Sequence, residues 1–467
     1  MSAERKSFFD PNLPTPVGFS YLSTEGNFPG GINTQELRNK VGSLLSTAKR
    51  EIGLLGEPKK RADYYLDLCV VQLTLGENPT QLIEETLQFA PKDRIGEDSI
   101  LYRAGLIAAY AGNYDYALAL AKEAGGSYHS WPLQNITEVV HSSGGDSQPF
   151  LEALSSALET ETAWFAKHKD LSGLLVMSYT ETAELMIKIG KDPEPFLRKA
   201  EDILAANPDS SWAYVNLISV RAAQGNIALA KEMVDRIRCP KNSEDEKRRS
   251  LAIIARAQAE QEDFAASLQT AKETGLGVVV TDVLLDNARY LAKKGEDPTE
   301  ILEQTINYAR NVPNGEFFFL SSSPTKEGLA KVYAEAGRIL ALAGKNPEEK
   351  FLKAVQTAKS LSGEDSQIRR LMEIAPVIRA SGKETWELYR RALLKYDESI
   401  RLKDDLIPLF DIHKSALESG YRDFVEEIMA RVEKVGRREP KYVEGYYPQF
   451  LIQTAFSYAQ WARHSQS

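Results

Sequence analysis

Five histidines, His129, His141, His168, His413 and His464, and two cysteines, Cys69 and Cys239, are the side chains that could ligate a metal or act as nucleophiles. None of the histidines stands in an HExxH or HxH arrangement, and no cysteine or carboxylate adds ligand spacing beside them. The paired acids Asp404 and Asp405 in LKDDLIPLFD could begin a magnesium-holding helix, but Pro408 occupies the place of the third acid one turn later. A capped turn explains the pair. GLG at 275–277 lacks the third glycine of a dinucleotide fingerprint, and neither GxxxxGK[ST] nor GxSxG occurs. Glu84–Glu85 and Glu426–Glu427 read as solvated helix faces. The expectation is a chain with no catalytic residue, no metal site and no cofactor.

Charge narrows the partners. Lys plus Arg number 57 against 66 Asp plus Glu, a net charge of −9, which disfavours a surface that tracks nucleic-acid phosphates. Two cysteines in 467 residues exclude a disulfide framework and point to a reducing, cytoplasmic compartment. MSAERKSFFDPNLPTP has no continuous apolar run of the signal-peptide kind, and no stretch approaches a membrane span.

The elements that would position any site are announced by one recurring turn. GENPTQLIEETLQFA (76–90), GKDPEPFLRKAEDIL (190–204), GEDPTEILEQTINYA (295–309) and GKNPEEKFLKAVQTA (344–358) share one grammar. Gly76, Gly190, Gly295 and Gly344 follow apolar-periodic stretches, where a helix ends in a left-handed residue. Asn78, Asp192, Asp297 and Asn346 can accept from the free N–H groups of the next helix, and the proline after each suits its first position. Further on, Thr86 and Ala90, Ala200 and Leu204, Thr305 and Ala309, and Ala354 and Ala358 form i, i+4 pairs of mostly small residues that let a neighbouring helix approach. Four such instances make degenerate internal repeats.

A second form of the joint lacks the proline, as in AGNYDYALALAKEAG (111–125), QGNIALAKEMVDRI (224–237) and EQEDFAASLQTAKETG (260–275). LYRAGLIAAYAGNYDYALALAKEA (101–124) resembles a tetratricopeptide (TPR) repeat, with Gly105 at the small position of the first helix, Gly112 and Tyr114 at the turn, and Ala117 and Ala124 on the second helix. NPDSSWAYVNLISVRAAQGNIALA (207–230) resembles the joint between two such repeats, followed by Leu217, Gly225 and Ala230, although Ile218 replaces the small residue. The resemblance implies an all-α fold, a right-handed α-solenoid of antiparallel helical pairs, and places Tyr102, Trp212 and Ser219 on its concave surface. Trp212 reads equally well as packing between repeats. Val215 and Leu106 stand where the family's carboxylate-clamping polar groups would be, which disfavours a chaperone-tail adaptor.

Residues 1–33 read as a non-helical arm rich in proline, glycine and aromatics that packs along the solenoid, and 34–467 as the TPR-like array. GVVV at 277–280 reads as a buried helix start, RCPKNSEDEKRR (238–249) as an exposed loop, and VPNGEFFFLSSSPT (312–325) as a loop folded over the core. The aromatic last helix, 446–463, is expected to seal the end of an open array. The function expected is a scaffold or adaptor that binds a peptide or folded protein partner, without nucleic acid or membrane insertion. An α/α-toroid enzyme with an acidic and aromatic site, or a structural subunit of a larger assembly, are the alternatives.

Overall fold

The computed structural model describes residues 34–90, 94–124, 130–168, 172–206, 211–237, 243–311, 325–399, 407–438 and 447–464. The arm 1–33, the loop 312–324 and the paired acids at 404–405 lie outside them. The described residues form 22 helices and no strand. The chain divides into two compact units: unit 1 takes the described residues of 1–167, 184–193 and 402–467, and unit 2 those of 168–183 and 194–401.

The repeated turn does what its residues dictate. Gly76, Gly190, Gly295 and Gly344 all adopt left-handed backbone, with φ of 81°, 69°, 78° and 70°. The next N–H then reaches back to a carbonyl of the last turn, as Glu77 does to Gln72 at 2.9 Å and Lys345 to Leu340 at 2.8 Å. The second joint form closes its helices in the same way, at Gly112 and Gly225. Glu262 takes this conformation without being glycine, at φ 64°. Opening each next helix, Asn78, Asp297 and Asn346 accept through Oδ1 from the N–H two residues on, at 3.0, 2.9 and 3.0 Å. Pro79 and Pro347 hold the cap position itself, one residue earlier than the first-turn position expected. Lys345 of one joint pairs with Asp297 of the joint before it, and Lys383 donates to Glu348 at 2.7 Å, so successive joints of unit 2 are neighbours in space.

In unit 1, α2 (Pro58–Leu75), α4 (Arg94–Tyr110) and α6 (Ser130–Ser142) touch in succession, and α3 (Thr80–Phe89), α5 (Tyr114–Glu123) and α7 (Gln148–Phe165) back them. Unit 2 repeats the arrangement. There α10 (Ser211–Ala223), α12 (Ser243–Glu260), α14 (Gly277–Lys294), α16 (Thr325–Leu342) and α18 (Glu364–Ala380) form the contiguous layer. Behind it α11 (Ile227–Asp235), α13 (Phe264–Glu273), α15 (Thr299–Asn311) and α17 (Glu348–Lys359) pack chiefly on their neighbours in sequence. The layer helices are apolar nearly all round because they have neighbours on three sides; residues 100–109 of α4 are buried without a break.

The small residues of the joints face this packing. Thr86, Ala200, Thr305, Ala309, Ala354 and Ala358 are completely buried, and the Thr86 and Thr305 hydroxyls donate to the carbonyls four residues earlier. Gly105 approaches Ala117 and Leu120 of α5 and Ile136 of α6, as a small-position residue must. Gly337 does the same for α16 and α17: a Cβ there would stand 2.4 Å from the Phe351 ring. Gly337→Ala is therefore expected to destabilise by about 1–3 kcal/mol through overpacking, despite alanine's better helix propensity. A thermal midpoint that stays or rises would show that the two helices can separate freely.

Two expectations need correction. The charged stretch 238–249 is helical from Ser243, because Glu244, Asp245 and Glu246 fill the first turn of α12, where the helix dipole favours acids. GVVV, by contrast, opens α14 as expected, with Val278, Val279 and Val280 buried. The aromatic last helix, α22 (Tyr447–His464), is not the exposed end of a stack. It is buried against α1 (Thr34–Gly53) and α2, within unit 1. Leu37, Val41, Ala48 and Ile52 of α1 and Phe450, Phe456 and Trp461 of α22 supply the apolar faces. Glu36 and Lys40 of α1 also pair with Arg422 and Glu426 of α21 (Arg422–Arg438). The first and last helices thus cover each other's apolar faces.

Candidate functional site

The layer helices of each unit pack against neighbours on three sides. The fourth side of each layer helix is where a partner could touch it. Of the residues expected there, Tyr102 belongs to unit 1, and Trp212 and Ser219 to unit 2.

Tyr102 is not the exposed anchor the sequence suggests. Its ring packs 4.4 Å from that of Trp131, and the residue is only 3% exposed. Trp212 packs on a neighbouring helix: a Cβ on Gly173 of α8 (Ser172–Lys188) would stand 2.5 Å from its indole, while 37% of the residue stays accessible. Ser219 is half-buried two turns further along α10. Val215 and Leu106 are buried.

Around Tyr102, unit 1 assembles a wall of aromatics and acids from three helices. Tyr102 and Tyr110 come from α4, Trp131 and Glu138 from α6, and Glu184 and Lys188 from the end of α8. Lys188 Nζ donates to Glu138 Oε2 at 2.8 Å, bridging fifty residues of sequence. Burial raises the Glu184 carboxyl, Lys188 opposes the rise and the negative charge of Glu138 adds to it. The Tyr102 and Tyr110 hydroxyls are pushed up by burial and then by Glu138. Deeper between α2 and α4, Arg103 pairs with Asp63 at 2.6 Å and Asp67 at 2.5 Å.

In unit 2 the layer carries a ladder of ion pairs instead. Arg256 of α12 meets Asp282 of α14 at 3.2 Å, and Arg289 of α14 meets Glu335 of α16 at 3.5 Å. Lys331 of α16 meets Glu373 of α18 at 2.9 Å. Asp282 keeps 36% of its side chain accessible, yet burial raises its carboxyl in spite of Arg256. The signs along this ladder are closely balanced.

Sequence reasoning missed both constellations. Glu184 and Lys188 could have been seen as an i, i+4 pair, and Trp131 and Glu138 as an i, i+7 face, but nothing local joins the two helices. No group of His, Cys, Asp and Glu among the described residues is arranged to hold a metal ion. Cys69 is buried and its thiol is pushed up by that burial. His413, on α20 (Ile407–Glu418), is buried as well.

No family model matches the chain, and no curated protein matches it. A solved structure described as "Circular tandem repeat protein with novel repeat topology and enhanced subunit contact surfaces" is 13% identical, with 89% of this chain and all of that one covered at a TM-score of 0.21. At that score the likeness carries no argument. The repeat character rests on this chain's own joints, and no helix among the described residues is long and apolar enough to cross a membrane.

Proposed function

We propose that this protein is a helical-repeat scaffold, a right-handed α-solenoid of antiparallel helical pairs that binds a protein or peptide partner on the concave layers of its units. The observation that carries the reading is the character of those layers. They are built from helices buried on three sides, whose fourth side presents aromatic and charged side chains already held in place by ion pairs. Ordered side chains lose less entropy on binding than free ones, which is the property a recognition surface needs. A cytoplasmic setting accords with the sparse cysteines.

Ser219→Arg places a long charged side chain on the layer face of α10 without disturbing a core position, since arginine can extend toward water. Affinity capture with the full chain is expected to retain a stoichiometric partner that the variant loses, while the thermal midpoint is unchanged. Equal capture by both proteins, or capture by neither, would overturn this placement of the surface.

The enzyme reading draws support from one feature, the environments of Glu138 and Glu184. One carboxylate is ion-paired and its neighbour is pushed toward the protonated form, which is how an acid and a base are set apart in acid–base catalysis. Turnover of a small molecule by the pure protein, lost in Glu184→Gln, would establish it over the scaffold.

A further inference from the structure

We infer that the exposed face of α19 (Trp386–Ser399) in unit 2, with the adjoining end of α17, is a docking site for an acidic segment of a partner protein that carries apolar residues at its ends. This is a second surface, on helices outside the contiguous layer, and it goes beyond the scaffold reading. Trp386, Arg390 and Leu394 recur at i, i+4 and i+8, so they form one stripe along α19, and Arg391 flanks it. All four are exposed, Trp386 by 45% and Leu394 by 55%. The Arg390 guanidinium lies over the Trp386 ring, 5.5 Å from its centroid, which orders the two side chains together. Tryptophan and arginine are the residues that most often dominate an interface.

Charge selects the occupant. Arg390, Arg391 and Lys359, the last residue of α17, make no ion pair among the described residues. Glu387 lies one turn before Arg390 and Arg391 yet pairs with neither. Elsewhere around these helices the cations are answered: Lys353 pairs with Glu349, Arg379 with Glu384 and Lys383 with Glu348. The patch is therefore an excess of positive charge on a chain whose net charge is −9. Helices α17 and α19 both pack on α18, which brings Lys359 within the field of Arg391. Burial holds the Lys359 pKa down and the Arg391 charge adds to the effect, so a carboxylate arriving here would relieve a repulsion already present.

The apolar groups set the rest of the partner's chemistry. Trp386 and Leu394 stand about 12 Å apart along the helix axis, with the two guanidiniums between them. The matching segment has acids in its middle and an apolar side chain toward each end. A nucleic-acid duplex fits less well, because it requires a longer track of cations and would meet the negative charge of the rest of the chain.

The test measures binding of a fluorescent twelve-residue peptide, with a leucine near each end and glutamates between, to the full chain. Its Glu-to-Gln counterpart, a single-stranded oligonucleotide and vesicles containing phosphatidylserine are measured beside it. The acidic peptide is expected to bind and the Gln peptide not, with binding weakened by salt. Arg390→Gln combined with Arg391→Gln should weaken binding about tenfold, the effect of two exposed ion pairs. Leu394→Ser should weaken it about fivefold, as half a leucine is no longer buried on binding. Both variants change exposed side chains, so their thermal midpoints should match that of the wild type. Equal binding of the Gln peptide, unchanged binding by the double variant, or binding of the oligonucleotide or vesicles without the peptide each overturns the inference. Ser219→Arg should leave peptide binding intact, and its loss there would also overturn this placement. If the peptide fails while Ser219→Arg still abolishes partner capture, the inference falls and the scaffold reading stands.

Discussion

Phe450→Ala is expected to lower the unfolding free energy by about 3–5 kcal/mol, the range for deleting a large aromatic from a core that cannot collapse around the gap. Phe450 is completely buried, edge-on to Phe410 at 5.3 Å and 5.0 Å from the His413 ring. Its helix, α22, is packed on by α1 and α2 from one end of the chain and by α20 and α21 from the other, and the Phe450 ring itself meets α20. Unfolding followed by circular dichroism, with wild type alongside, measures the loss. A change below about 1 kcal/mol would mean that α22 is not the common core of these helices.

The second large effect is acid sensitivity through His413. Its Nε2 lies 2.9 Å from Thr454 Oγ1, and its Nδ1 has no hydrogen-bond partner among the described residues. Burial pushes its pKa down from the ordinary 6.5 to about 3, against a small opposing effect of Gln453. The unfolded chain therefore binds this proton more readily than the folded one at every pH between those two values. Stability contributed by neutral His413 is complete above about pH 6.5 and is lost progressively as the pH falls toward 3. Between pH 7 and 5 the loss is on the order of 2 kcal/mol, from a difference of about 1.4 kcal/mol per pH unit below the unfolded value. His413→Gln should be less stable at pH 7 but show a much flatter pH profile over that window. Parallel profiles for the two proteins would show that other groups carry the acid response.

The Tyr102→Arg substitution that a solvent-facing Tyr102 would invite is a poor probe, because it puts a guanidinium where an aromatic pair is packed. Tyr102 illustrates a general limit. Its position on a helix and its nearness to a binding surface could be read from the repeat resemblance, but its exposure could not. Exposure depends on Trp131, which comes from a helix outside the repeat that contains Tyr102.

The sequence by itself determined the joints: where helices end and begin, which residue turns left-handed, which side chain caps, and which small residues face a neighbour. All of these depend on atoms within about one or two turns of the chain, where spacing along the sequence is also spacing in space. Only the tertiary structure decided that Lys188 would meet Glu138, that Arg103 would join Asp63 and Asp67, and that α1 would lie on α22. Those meetings follow from how helices stack over tens or hundreds of residues, and the local grammar is the same whichever way the stack continues. The apolar pattern of α22 stated that it must be covered, and it left open that the chain's own first helices would cover it.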